Sequence, residues 1–225
     1  LNTWDFDESL VFSGKGAERN NTLLNCFLEA EEDEKRFYSY YKFSPELFTK
    51  KIDSTKKVKL TKWSDFNKRN LEETTKFKKI LKIAFTYPIY SKTESYPFHL
   101  NKSDLKKFLK ESNGFYKHRD SVQIDKDSLI YFHSYRDFLV SHMYNLVFTK
   151  HPDENIYSNI FTTSLLKVID KKVNTKKAKN TFLRQTILSY FYRNSNKKID
   201  KKAFETFFEF SSDEKDKQQM QRLLK

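Results

Sequence analysis

Apolar positions along this chain recur at spacings of three and four, the period of a helix with one buried face. Leu23, Leu24, Phe27 and Leu28 set such a face and predict a helix over 20–42. A second helix starts at "SPELFTKKI", where Ser44 suits the N-cap and Pro45 the first helical position. Phe66, Leu71, Phe77, Ile80, Leu81 and Ala84 predict a single helix over 64–86. "TYPIYSKTESYPFHL" then brings two prolines and many β-forming residues, and reads as a loop. "NKSDLKKFLKESNG" predicts a short helix opened by Ser103 and closed by Asn113-Gly114. "DSVQIDKDSLIYF" suggests a short extended stretch, and a helix follows to about residue 149. Pro152 resets the chain. "DENIYSNIFTTSLLKVIDKK", "TFLRQTILSYFYRN", "DKKAFETFFEF" and "SDEKDKQQMQRLLK" supply further helices, the last two opened by Asp200 and Ser212.

The sum is a mostly α, multi-helix globular protein with a few short extended segments. The proline-rich stretch suggests a boundary near residue 92, between a helical subdomain over 1–92 and another over 93–225. Composition agrees with helices. Only 3 Gly serve 225 residues, too few for many tight hairpins. Hydrophobic residues are 37%, which is low, but 22 Phe and 13 Tyr offset the deficit because each ring buries a large area.

Charge changes the picture more. The net charge is +13, yet residues 1–34 hold 9 acidic side chains against 2 basic ones. An acidic head on a basic body points to a polyanionic partner, nucleic acid above all, with RNA and DNA undecided. The competing reading is compositional: 35 Lys against 8 Arg is what an A/T-rich coding sequence gives. The densest basic stretch is Lys171, Lys172, Lys176, Lys177 and Lys179, followed by Arg184, Arg193, Lys197, Lys198, Lys201 and Lys202. It reads as helix, turn, helix, with Tyr190 and Tyr192 as candidate stacking partners for unpaired bases. The helix over 201–210 offers mostly Lys, Glu and Phe, so non-sequence-specific backbone contact is expected.

Catalytic chemistry is sparse. The single Cys26 rules out an internal disulfide and a cysteine-based zinc site, and it reads as a buried small hydrophobe. Gly14-Lys15-Gly16 lacks the spacing of a phosphate loop and reads as a turn. No histidine pair has metalloprotease spacing, so neither metal nor cofactor is expected. "RDFLVSH" in the helix after 133 resembles, in spacing, the Arg–His motif of the HEPN superfamily of helical ribonucleases. That resemblance implies a metal-independent ribonuclease. His142 would act as general acid/base toward the 2′-OH or leaving oxygen, and Arg136 would stabilise the phosphorane-like charge. A second copy across a dimer would complete the site. The likeness covers seven residues, and Asp137 stands where the commoner motif has Asn. The alternative is that Leu139, Met143 and Leu146 form a core face with Arg136 and His142 on its flanks.

No apolar run approaches membrane-spanning length and no leader-like run opens the chain. With one cysteine, this points to an intracellular, cytoplasmic protein (nuclear in a eukaryote) with no membrane partner. The expectation is a nucleic-acid-contacting binding or assembly component rather than an enzyme. The HEPN-like ribonuclease and a purely protein-binding subunit, with a protein partner or a homo-oligomer, are the alternatives.

Overall fold

In a computed structural model the described residues are 10–112, 114–122, 127–194 and 199–224. They form helices α1 (Ala17–Tyr40), α2 (Pro45–Arg69), α3 (Thr75–Ser95) and α4 (Lys102–Glu111). These are followed by α5 (His133–Phe148), α6 (Asn159–Lys172), α7 (Lys176–Asn194), α8 (Lys202–Phe210) and α9 (Glu214–Leu223). Short 3-10 turns occupy Tyr96–His99, Lys117–Ser121 and Asp127–Leu129. No strand occurs among the described residues. The fold is all-helical, and residues 123–126 of the stretch expected to be extended lie outside the described residues. The chain divides into two compact units, Leu1–Phe115 and Tyr116–Lys225, and residue 92 lies inside α3.

In the first unit α3 lies along α2 and against α1. It is buried on most of its circumference, from Phe77 and Leu81 through Ala84, Phe85, Tyr87, Ile89 and Tyr90. The stretch expected to be a loop is therefore helix as far as Ser95, with Pro88 inside it. Pro88 cannot donate to the carbonyl of Ala84, but the aromatic residues around it face packed neighbours, and that burial outweighs local β preference. Tyr96 follows with no exposed surface. Its ring meets Phe48 at 4.1 Å, Phe115 at 5.6 Å and Phe108 at 5.8 Å, and its hydroxyl donates to the Phe43 carbonyl at 2.7 Å. One tyrosine so ties α2 to α4.

The helix expected over 64–86 is broken in two. Asn70 ends α2 by donating from Nδ2 to the Phe66 carbonyl at 3.1 Å, and Thr74 caps α3 by accepting from the Phe77 amide at 3.2 Å. Asn and Thr compete with helix through such local bonds. Arg19 grips Glu73 through two nitrogens, one at 2.6 Å, and so pins the turn to α1. Ser44 caps α2 as its sequence suggests. Asn101, not Ser103, caps α4.

The acidic cluster of α1 faces its own lysines. Lys59 is buried on α2, its Nζ 2.7 Å from both Glu29 and Asp33. Lys62 also holds Glu29, and Lys92 holds Glu34. Burial alone would raise the Glu29 carboxyl, but the hydrogen bonds from Lys59 and Lys62 outweigh it and hold the group below its ordinary value. Cys26 is buried beside this cluster, and burial, with Glu29 adding to it, pushes its thiol up to about 12. A thiol in that state is a poor nucleophile.

In the second unit α6 takes the central place, packed against α5, α7 and α8. Phe161, Leu165, Leu166 and Ile169 meet a core built by Phe138, Leu139, Leu183, Ile187, Phe204 and Phe207. Asn159 opens α6 and also serves α8. Its Oδ1 accepts from the Ala203 amide at 3.1 Å and its Nδ2 donates to Asp200 at 2.8 Å. Asp213, rather than Ser212, caps α9 by accepting from the amides of Lys215 and Asp216. Ser212 instead pairs with buried Asn180 on α7.

Removing one partner of a buried ion pair strands the others. Lys59→Ala should cost about 3–5 kcal/mol in urea unfolding, because Asp33 keeps its burial and is left with only the longer contact to Arg36 at 3.5 Å. Lys59→Met with Asp33→Leu should come within about 1 kcal/mol of the parent or exceed it.

Candidate nucleic-acid interface

The turn between α6 and α7 is held at both ends by buried residues. Val173 has no exposed surface and its amide donates to the Ile169 carbonyl at 2.9 Å. Ala178, on the first turn of α7, is also buried. Between and beside these anchors, Lys171, Lys172, Lys176 and Lys177 are all exposed. Among the described residues, none of the four forms an ion pair. Lys177 instead lies over the Tyr131 ring, 4.9 Å from its centroid.

The rest of the stretch is used differently. Lys179 pairs with Asp170 at 2.8 Å. Arg184 pairs with Asp216 at 3.1 Å and donates to Gln219. Burial raises the Asp216 carboxyl, Asp213 adds to that and Arg184 opposes it. Arg193 lies over the Tyr157 ring at 5.2 Å. Lys201 and Lys202 are exposed at the start of α8. Lys197 and Lys198 lie outside the described residues. Tyr192 is exposed, but Tyr190 is buried with its hydroxyl donating to the Asp200 carbonyl, so it supports the fold rather than offering a stacking face.

The run of basic residues thus does not form one patch. Asn194 donates to the Tyr157 carbonyl and Asp200 meets Asn159, so Arg193, Lys201 and Lys202 gather at the beginning of α6. Lys171, Lys172, Lys176 and Lys177 gather at its end. The 14 residues of α6 separate these poles by about 20 Å. Arg184 and Lys179 lie between them, each on a carboxylate.

The two lysines on the first turn of α7 carry a cost. A helix N-terminus is positive, and this one has no acidic residue in its first turn. Lys176 and Lys177 oppose that dipole, whereas Lys171 and Lys172 at the end of α6 complement theirs. An anion placed at the start of α7 meets Lys176, Lys177 and a helix N-terminus of favourable sign, while Asp213 and Asp216 line the same groove.

The Arg136–His142 pair is distributed otherwise. Both sit on α5, six residues apart, which turns them about 120° around the axis. Arg136 is half-exposed, with Asp137 its nearest carboxylate at 3.9 Å. His142 is 4% exposed and stacks on Phe138 at 5.7 Å, while His118 meets the same ring edge-on. A general base must come within about 3 Å of the proton it takes, and burial of His142 limits its access to solvent. Among the described residues no group of three or more His, Cys, Asp or Glu is placed to hold a metal ion. No helix of the described residues is long and apolar enough to cross a membrane.

If Lys176 opposes its own helix, reversing its charge should help the fold. Lys176→Glu should raise unfolding stability by about 0.3–1 kcal/mol at low salt, with the gain shrinking as salt is added. Comparison with protein-family models, with curated proteins and with solved structures finds no match, so the functional reading rests on this geometry.

Proposed function

We propose that the protein is a binding or assembly component that contacts nucleic acid through its phosphate backbone, without reading sequence. The observation that carries this reading is the α6–α7 turn, where Lys171, Lys172, Lys176 and Lys177 are exposed and, among the described residues, form no ion pair. Two of them stand where a helix dipole disfavours a cation.

Non-specific contact suits these residue types. Lysine is a flexible point charge with no fixed fork, so it neutralises phosphate without discriminating bases. The exposed face of α8 offers Lys201, Lys202 and Glu205, not the Arg, Asn and Gln that read base edges.

Anisotropy of a labelled oligonucleotide across a salt series tests this reading. Binding should weaken steeply with salt. Replacing Lys171, Lys172, Lys176 and Lys177 together by Gln should flatten the log–log slope by about 0.7–0.9 for each phosphate that is no longer neutralised. Absence of binding at low salt, or an unchanged slope in the fourfold variant, would overturn the proposal.

A further inference from the structure

The ring beside the lysine turn points to the kind of nucleic acid. Ile130 is buried, and the next residue, Tyr131, is 71% exposed. Phe132 then starts α5, its carbonyl accepting from the amides of Tyr135 and Arg136 at 3.1 and 3.0 Å. The backbone on both sides of Tyr131 is therefore held while its ring projects outward. Lys177 lies 4.9 Å from that ring's centroid, and Lys176 is its neighbour in sequence. Among the described residues no other Phe, Tyr or Trp is as exposed as Tyr131.

Resting on the nucleic-acid reading above, we propose that the ligand is single-stranded and that Tyr131 is a platform on which one unpaired base stacks. Single-strand binders pair cations that follow the backbone with aromatic faces that take the bases, and every base has such a face. In a duplex those faces are already stacked on one another. Here the ring, just before α5, lies against Lys177 of the α6–α7 turn. Lys177 would serve both roles, drawn to the ring in the unbound protein and to a phosphate beside the stacked base.

The test compares a labelled oligo-dT of about 20 nucleotides, longer than the ~4–16 one single-strand site covers, with a duplex of the same length. Tyr131→Ala should weaken oligo-dT binding roughly five- to 150-fold, the range measured for loss of a base–ring stack. It should leave duplex affinity and the salt slope unchanged, and Tyr131→Phe should retain the parent affinity. Urea unfolding of both variants checks that the fold persists, since an exposed ring contributes little to it. Equal affinity of Tyr131→Ala and the parent for oligo-dT, or an equal loss on both oligonucleotides, would overturn this inference. If the fourfold lysine variant still flattened the salt slope, the broader nucleic-acid reading would stand. Failure of the unmutated protein to bind either oligonucleotide at low salt would overturn both.

Discussion

Each unit of this protein depends on one helix buried over much of its surface, the second half of α3 in the first and the middle of α6 in the second. Such a helix must be apolar all round or must satisfy its polar groups by itself. Both solutions are used. Rings and aliphatic chains fill most of the circumference, from Phe77 to Tyr90 in α3 and from Phe161 to Ile169 in α6. The buried hydroxyls of Thr86 and Thr93 donate to the carbonyls of Lys82 and Ile89, one turn back in their own helix. A chain with 37% hydrophobic residues can form these cores because its apolar content is concentrated in large rings and in two central helices.

The same economy governs charge. Part of the acidic run of α1 is neutralised inside the first unit, where Lys59, Lys62 and Lys92 meet Glu29, Asp33 and Glu34, while Glu31 and Glu32 stay exposed. In the second unit, Lys179 and Arg184 are likewise taken by Asp170 and Asp216. The remaining exposed lysines are spread over both units, among them Lys50, Lys51 and Lys57 on α2 and Lys106, Lys107 and Lys110 on α4. The end of α6 and the start of α7 hold four exposed lysines beside an exposed ring. Overall pI says little about where such a surface lies; pairing within the fold decides it.

Much of this is legible in the sequence. Helical periodicity and scarce glycine indicate the fold class, and Ser44-Pro45 marks the start of α2. The departures have physical causes. "TYPIYSKTESYPFHL" carries local signals for loop and strand, but its rings belong to the core of the first unit, and tertiary burial overrides propensity. Asn70 and Thr74 interrupt a good helical pattern because their side chains bond the backbone, which apolar spacing does not register. The basic residues of the candidate interface are visible as a run, yet α6 and α7 fold that run into two poles. Tyr131 escapes a reading of the sequence because it is 46 residues from Lys177 and only the fold brings them together.

If α3 and α6 hold the two units together, they must open last. Native-state hydrogen exchange followed by mass spectrometry measures this directly. Within Leu1–Phe115, the slowest amides should lie in α3 between Leu81 and Tyr90, slower than any in α1 or α2. Within Tyr116–Lys225 they should lie in α6 between Thr162 and Ile169. Protection that is greater in α2 or α7, or exchange in α3 as fast as in α1, would contradict a fold organised around these two helices.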